Sequence, residues 1–352
     1  MLRIPVPASR PYSVLLGGGI LPALGEELAA LTPSRRLALV SDGNVFPLHG
    51  ERVCAQLRQA GFQVCSYILP AGEEHKSMAS LAALLGFFAE NRLGRGDLAL
   101  ALGGGVVGDL TGFAAAVYMR GMDYVQLPTT LLSAVDSSVG GKTGVDLKEG
   151  KNLMGAFHQP LLVLCDRELL ATAPERELRC GFAEVIKYGL MGDAELFRSL
   201  EAGELRLPPE AVIARCIAMK AELVGRDELD RGERRKLNLG HTFAHAIELL
   251  SGYTVPHGLA VGMGLSAVCR AAGALGRCEP GVSPRLDRLL TKYGLPTALP
   301  YPAEALYEAM LRDKKVRGDA VSLVIPTGLG RCETESVPVT ALRDWLCMGG
   351  AL

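Results

Sequence analysis

The chain has 352 residues, of which 49% are hydrophobic and 21% are charged. This composition excludes a disordered chain, and the length is sufficient for two domains. The formal net charge is −1, which excludes the basic character of a nucleic-acid-binding protein, so an anionic ligand needs a local group of cations.

Nine cysteines are scattered along the chain, and no two of them have C-x-x-C spacing. Such a distribution favours free thiols in a reducing compartment over a disulfide framework. Residues 1–9 include prolines and no apolar stretch of the kind found in signal peptides. No charge-free run reaches the ~20 residues of a membrane-spanning helix. We therefore expect a cytoplasmic protein.

In the first half of the chain, short apolar runs alternate with helical stretches. Strands are predicted at 37–40, 63–68, 98–102, 124–127 and 161–165, with helices at 51–60 and 80–90. Alternating strands and helices indicate βαβ units with a mostly parallel sheet, and therefore an α/β fold.

A glycine-rich segment follows the third of these strands, and Gly103, Gly105 and Gly108 match the pattern G-x-G-x-x-G. Glycines there allow the backbone to approach a pyrophosphate, and the next helix directs its N-terminus at the phosphates. A tight strand-to-helix turn explains the same pattern equally well. Asp42, at the end of an earlier strand, is a candidate for binding the ribose of a dinucleotide.

Beyond residue 168 the pattern becomes helical. Helices are predicted at 175–188, 211–225, 237–250, 259–274, 284–293 and 303–313, with a late strand at 321–325. We therefore place an α/β domain at 1–168 and a helical domain at 169–352.

Three of the six histidines, His241, His245 and His257, fall in one short stretch of this second domain. His241 and His245 lie four residues apart, so a helix would project both imidazoles from one face. Two histidine ligands of one metal ion on a helix commonly have this spacing. It favours the pair as ligands, the alternative being the ordinary structural role of a histidine.

A polar stretch rich in small residues covers 133–146, and Lys151 and Asn152 follow it. Residues 140–143 resemble the end of a P-loop, but Asp136 stands where the first P-loop glycine would be, which excludes a nucleotide triphosphatase. Lysines such as Lys142 beside glycines can bind phosphate or carboxylate groups, and a solvated loop is the alternative.

Five blocks of sequence resemble the 3-dehydroquinate synthase family of the sugar-phosphate cyclase superfamily. They are YMRG at 118–121, QLPTTLLSAVDSSVGGKTGV at 126–145, GKNLMGAF at 150–157, GFAEVIKYG at 181–189 and LNLGHTFAHAIE at 237–248. The resemblance implies a homodimer with a Rossmann-like, parallel-sheet N-terminal domain and an all-helical C-terminal domain. It also implies conversion of a seven-carbon sugar-acid phosphate to the carbocycle 3-dehydroquinate, with loss of phosphate, in the shikimate pathway.

The resemblance further implies a catalytic NAD+ and a divalent metal, Zn2+ or Co2+. It assigns the metal to Glu184, His241 and His257, and it moves His245 to the phosphate side of the site. It assigns NAD+ binding to Asp42, Glu73, Lys76, Gly104, Gly105, Asp109, Thr129, Thr130, Lys142, Lys151 and Thr172.

The same resemblance assigns a large set of polar residues to substrate binding. The set is Arg120, Asp136, Lys142, Lys151, Asn152, Lys187, Lys220, Arg234, Asn238, His245, and Lys314 or its neighbour Lys315. Its expected catalytic members are Lys142, Lys187, Arg234, Asn238 and His245. Arg120 is expected to reach the phosphate site of the partner subunit.

Four positions depart from the residues that are usual in the family. Leu259 replaces a glutamate after the His-Gly pair, which removes a carboxylate expected near the metal. Asp230, Asp146 and His158 replace glutamate, asparagine and tyrosine, respectively.

Two other activities compete with this interpretation. One is a cyclase of the same superfamily that acts on a different sugar phosphate. The other is a metal-dependent polyol dehydrogenase that releases NADH. The predicted phosphate-binding residues argue against a simple dehydrogenase; they are Lys151, Asn152, Arg234 and Asn238.

Overall fold

The structure is a computed structural model that describes residues 1–311, 316–317 and 319–352. The chain divides into two compact units. The first unit contains Met1–Pro174 with Leu207–Leu229, and the second contains Glu175–Arg206 with Asp230–Leu352. Residues 207–229, which the sequence placed in the second domain, belong to the first unit because their helix packs against its N-terminal strand. No helix of the described residues is both long and apolar enough to cross a membrane.

Helices and strands are numbered in chain order. The strands are β1 (Leu2–Val6), β2 (Tyr12–Gly17), β3 (Arg36–Asp42), β4 (Gln63–Leu69), β5 (Leu98–Gly103), β6 (Asp123–Pro128), β7 (Lys142–Leu147), β8 (Gly150–Phe157), β9 (Leu162–Asp166), β10 (Val316–Arg317), β11 (Ala320–Gly328) and β12 (Arg331–Pro338). The helices are α1 (Leu24–Leu31), α2 (Glu51–Gln59), α3 (Met78–Glu90), α4 (Gly105–Val117), α5 (Arg167–Leu170), α6 (Glu175–Gly192), α7 (Ala194–Ala202), α8 (Glu210–Arg226), α9 (His241–Leu250), α10 (His257–Ala274), α11 (Val282–Lys292), α12 (Ala303–Leu311) and α13 (Leu342–Met348).

Seven strands of the first unit form one sheet in the order β1-β2-β9-β6-β5-β3-β4. The edge strand β1 is antiparallel to β2, and every other neighbouring pair is parallel. The predicted α/β fold with a mostly parallel sheet is therefore confirmed. The strand order reverses at β3, whose neighbours β4 and β5 both follow it in the chain. Open α/β sheets bind ligands outside the carboxyl ends of their strands at such a switch point.

The central strands are buried on both faces, as parallel strands covered by helices must be. In β5, Leu98, Leu100 and Leu102 pack with α1 and α2, whereas Ala99 and Ala101 pack with α3 and α4. Successive side chains of a strand point to opposite faces, so leucine alternates with alanine across the sheet. The small alanine face lets α4 lie close to the sheet, which holds its N-terminus at the end of β5.

The second unit is mostly helical, but it also contains a three-stranded antiparallel sheet in the order β10-β11-β12. The strand predicted at 321–325 is the centre of β11. The all-helical C-terminal domain implied by the resemblance therefore needs this correction. Eight-residue β12 escaped prediction because its exposed charged and polar side chains interrupt the apolar pattern.

We predict that Leu100→Ala lowers the free energy of unfolding by about 2–5 kcal/mol, because it leaves a cavity between the sheet and its helices. Leu100 is 0% exposed. Urea denaturation of the purified protein measures the change. The matched control is Leu31→Ala, where the side chain is 44% exposed and a change within about 0.5 kcal/mol is expected. Equal losses in both variants would contradict the assignment of Leu100 to the core.

Candidate functional site

The carboxyl edge of the first unit's sheet carries residues predicted to bind a dinucleotide. Asp42 ends β3, Gly104 and Gly105 follow β5, and Thr129 follows β6. Asp42 Oδ1 accepts hydrogen bonds from the backbone N–H groups of Asn44 at 2.8 Å and Val45 at 2.9 Å, which fixes the carboxylate. Because β3 and β5 are neighbours, this carboxylate and the glycine turn flank the switch point.

The glycine turn is enclosed so closely that side chains at its glycines would meet neighbouring atoms. A Cβ on Gly104 would lie 3.3 Å from Thr130 Cγ2, and a Cβ on Gly108 would lie 2.6 Å from Gln126 Oε1. Thr129 is 4% exposed, and its hydroxyl has no hydrogen-bond partner within the described part of the chain. A backbone cradle beside a buried, unsatisfied hydroxyl and the N-terminus of α4 fits the pyrophosphate of a dinucleotide.

Five predicted residues lie together in a charged network of the first unit: Glu73, Lys76, Asp109, Lys151 and Asn152. Lys76 Nζ lies 2.5 Å from Asp109 Oδ2 and 2.6 Å from Asn152 Oδ1, and Lys151 Nζ lies 3.1 Å from Glu73 Oε1. Burial lowers the pKa of Lys76, but Asp109 and Glu73 outweigh burial and raise it. Lys76 is therefore a buried cation that stays charged.

The other predicted residues of the first unit occupy four places. Lys220 Nζ lies 2.8 Å from Asp136 Oδ1 and donates to its backbone carbonyl at 2.6 Å. Thr172 Oγ1 contacts His49 Nε2 at 2.7 Å. Lys142 is exposed at the start of β7. Arg120 is exposed in a turn where its φ is +65°, a backbone conformation that is strained for residues other than glycine.

Two of the unusual residues make defined contacts. Asp146 Oδ1 accepts the backbone N–H of Asn152 at 2.7 Å, a bond that the oxygen of the usual asparagine could also accept. The ring of His158 stacks on Tyr124 with 5.3 Å between centroids, and its Nε2 lies 2.8 Å from the carbonyl of Met122. Burial lowers the pKa of His158, so the neutral ring donates this bond.

In the second unit, two of the three histidines lie at helix starts. The helix predicted at 237–250 begins only at His241, because Gly240 has φ +79° and the residues before it form a 3-10 turn. His257 is the first residue of α10. His241, His257 and Glu184 of α6 bring one ligand atom each within 4.8 Å of one another. No other such group of histidine, cysteine or acidic residues occurs among the residues that the structure describes.

The two histidines of this cluster direct the same ring nitrogen at one carboxylate oxygen. His241 Nε2 lies 3.6 Å and His257 Nε2 lies 3.4 Å from Glu184 Oε1. His241 Nδ1 lies 3.1 Å from the carbonyl of Leu239, which can only accept, so Nδ1 carries the proton and Nε2 offers its lone pair. Two imidazole nitrogens and one carboxylate oxygen are a donor set that fits a catalytic Zn2+ or Co2+.

The electrostatics of the cluster also favour a cation. Glu184 is 0% exposed, and its Oε2 lies 2.5 Å from Nζ of the buried Lys187. Burial lowers the pKa of His257, but the carboxylates of Glu248 and Glu184 outweigh it and raise the pKa to about 10. A position that attracts a proton this strongly also attracts a dication, which competes with the proton for Nε2.

Backbone contacts at glycines fix the spacing of the ligand helices. A Cβ on Gly258 would lie 2.3 Å from Cys180 Cα, so α10 and α6 touch beside His257 and one turn before Glu184. A Cβ on Gly264 would lie 2.2 Å from the carbonyl oxygen of Gly240, so α10 also touches the start of α9. His241 and His257 therefore each lie next to a backbone contact, and Glu184 lies one turn after one.

The remaining predictions for the second unit have different outcomes. His245 packs its ring edge-on against His241, with 5.7 Å between centroids, and it is not in the ligand cluster, so the pair predicted from spacing is not the one that converges. Arg234 is 1% exposed in the 3-10 turn, and Asn238 Nδ2 donates to the carbonyl of Arg235 at 3.1 Å. Lys314 and its alternative Lys315 lie outside the described residues.

Glu248 is the residue of this site that neither spacing nor resemblance singled out. Its Oε2 lies 3.4 Å from Nδ1 of His257, and the residue is 2% exposed. A buried glutamate among the apolar residues of α9 was the sequence signal that could have drawn attention to it.

Comparison with known proteins gives consistent matches over nearly the whole chain. The family models for the 3-dehydroquinate synthase N-terminal and C-terminal parts match residues 66–180 and 181–316. The 3-dehydroquinate synthase of Caulobacter vibrioides (strain NA1000 / CB15N) is 46% identical over 359 residues, 97% of each chain. That of Nostoc punctiforme (strain ATCC 29133 / PCC 73102) is 46% identical over 347 residues, 95% of this chain and 96% of its own.

Solved structures with the same fold include two synthases with bound cofactors. A 2-deoxy-scyllo-inosose synthase complexed with carbaglucose-6-phosphate, NAD+ and Co2+ has a TM-score of 0.88 at 22% identity, over 98% of this chain and 99% of its own. The 2-epi-5-epi-valiolone synthase of Streptomyces hygroscopicus subsp. jinggangensis 5008, with NAD+ and Zn2+ bound, has a TM-score of 0.87 at 28% identity, over 96% of each chain.

We predict that Glu184→Ala and His241→Ala each abolish metal retention, because each removes one of three converging donors. Metal content after dialysis, measured by atomic emission, tests this. His245→Ala is the matched control and should retain wild-type metal content. Loss of metal in both His241→Ala and His245→Ala, with retention in Glu184→Ala, would restore the pair predicted from spacing.

We also predict that Gly258→Ala weakens metal binding and lowers the free energy of unfolding by about 1–3 kcal/mol, since its Cβ forces α10 away from α6. Co2+ titration and urea denaturation measure the two effects. Gly273→Ala on the same helix meets nothing within 4 Å and should instead be neutral or stabilising by up to about 1 kcal/mol. Unchanged Co2+ affinity in Gly258→Ala would contradict the spacing role of this contact.

Proposed function

Because the chain belongs to the 3-dehydroquinate synthase family, we propose that it converts 3-deoxy-D-arabino-heptulosonate 7-phosphate to 3-dehydroquinate and phosphate. This makes it an NAD- and metal-dependent carbon–oxygen lyase of the shikimate pathway, which leads to chorismate and the aromatic amino acids. The observation that carries the chemistry is the convergence of Glu184, His241 and His257. The 46% identity over nearly complete chains supports the choice of substrate.

Two bound groups complete this activity. NAD+, when bound, would supply reversible acceptance of a hydride from the carbon that bears a substrate hydroxyl, so no NADH would accumulate. Zn2+ or Co2+, when bound to Glu184, His241 and His257, acts as a Lewis acid on substrate oxygens. We assign NAD+ to the carboxyl edge of the first unit's sheet, where the glycine cradle and the buried Thr129 hydroxyl fit a pyrophosphate.

The chain's own residues bind and orient the substrate anion. Lysine and arginine side chains hold its carboxylate and phosphate, and a single fixed orientation supplies the proximity that elimination and ring closure require. Two of these cations are held by acids in advance: Lys151 by Glu73, and Lys220 by Asp136. Preformed ion pairs reduce the side-chain entropy that binding would otherwise remove.

We assign substrate binding in each unit to the residues implied by the family resemblance. In the first unit they are Arg120, Asp136, Lys142, Lys151, Asn152 and Lys220. In the second unit they are Lys187, Arg234, Asn238 and His245, with Lys314 or Lys315 outside the described residues. Lys187 also contacts Glu184, so its ammonium can hold this ligand's second oxygen while the first faces the histidines.

A cytoplasmic homodimer is part of the proposal. The nine cysteines are free thiols, which suits a reducing compartment. Arg120 is exposed in a strained turn beside Met119, which is 52% exposed and has φ +49°. Strained, exposed residues of this kind are typical of binding positions, and we assign Arg120 to the phosphate site of the partner subunit.

We predict that the protein with NAD+ and Zn2+ or Co2+ releases phosphate from 3-deoxy-D-arabino-heptulosonate 7-phosphate without net formation of NADH. A colorimetric phosphate assay and NADH absorbance measure both products, and a chelator should abolish release until metal is restored. Stoichiometric NADH would indicate a dehydrogenase. Release only from glucose 6-phosphate or sedoheptulose 7-phosphate would indicate a different cyclase.

A further inference from the structure

We propose that Glu248 is a positioning residue of the metal site, holding the Nδ1–H of His257 so that Nε2 is directed at the metal. The inference rests on the metal site of the proposed function and adds a residue to it. Glu248 lies on α9, seven residues after the ligand His241 and two turns along the same helix.

The imidazole of His257 lies between two carboxylates. Its Nδ1 is 3.4 Å from Glu248 Oε2, and its Nε2 is 3.4 Å from Glu184 Oε1. A neutral imidazole carries one N–H, and a carboxylate that accepts it at Nδ1 leaves the lone pair at Nε2. Glu248 is 2% exposed, so its carboxylate is shielded from water.

The other histidine obtains the same orientation from the backbone. His241 Nδ1 lies 3.1 Å from the carbonyl of Leu239. His257 follows Pro256, whose carbonyl already accepts the N–H groups of Leu259 and Ala260 as α10 begins. A side chain from another helix therefore takes the place of a local carbonyl.

Glu248 is a carboxylate beside His257 in a chain whose α10 lacks one near the metal. Leu259 stands where the family usually has a glutamate near the metal, so α10 does not supply that carboxylate. Glu248 supplies one from α9, and the backbone contact of Gly264 with Gly240 holds α9 against α10. A carboxylate on the outer ring nitrogen makes a histidine ligand more basic and fixes its rotation.

The test titrates Co2+ into metal-free protein, without NAD+ or substrate, and records both Kd and the Co2+ absorption spectrum. Glu248→Met removes the acceptor at similar length and should weaken binding by up to about 100-fold, with a changed spectrum. Glu248→Gln keeps an acceptor but removes the charge, and should weaken binding by about 10-fold. Circular dichroism of the metal-free variants checks folding, and Glu248→Gln carries the test if Glu248→Met does not fold.

Wild-type Kd and spectrum in the folded variants would overturn the positioning role. A purely structural role would change the unfolding midpoint and leave the spectrum of bound Co2+ as in the wild type, which would also overturn it. The measurement does not depend on turnover. Wild-type protein that binds Co2+ but releases no phosphate would contradict the proposed function and leave the role of Glu248 standing.

Discussion

A fully buried carboxylate requires compensation by cations, hydrogen-bond donors or a metal, because its transfer out of water costs several kcal/mol. Glu184 meets this requirement with Lys187 on one oxygen and two imidazoles facing the other. The start points of α9 and α10, and the contacts of α10 with α6 and with the start of α9, bring these groups to one point. The proposed function and the role of Glu248 both depend on this arrangement.

The first unit contains a buried cation, which requires compensation by anions or hydrogen-bond acceptors in the same way. Lys76 is a buried cation, and Asp109 and Asn152 compensate it at 2.5 and 2.6 Å. These three residues come from separate parts of the chain: the turn before α3, helix α4 and hairpin β7–β8. Lys76 retains its charge because Asp109 and Glu73 outweigh the cost of burial, and an anionic dinucleotide would need such a cation at the edge of the sheet.

The sequence predicted the parallel sheet and most long helices because their apolar periodicity is strong, as in β5 and α10. It missed hairpin β7–β8, where Gly144 and Gly155 face each other in close backbone contact and the strand signal is lost among polar and small residues. Spacing favoured His241 with His245, since periodicity describes one helix only. The positions of Glu184 and Glu248 relative to the histidines depend on how three helices pack. Family resemblance identified Glu184, whereas Glu248 was identified from the structure alone.

The glycine contacts around the ligands have a consequence for which ions the protein can accommodate. Gly258 against Cys180 and Gly264 against Gly240 already bring backbones together, so the helices cannot move closer. The closest approach of the ligand helices is therefore set by the main chain. Discrimination between cations by ionic radius would then be a property of helix geometry, conserved as long as those few positions lack a side chain.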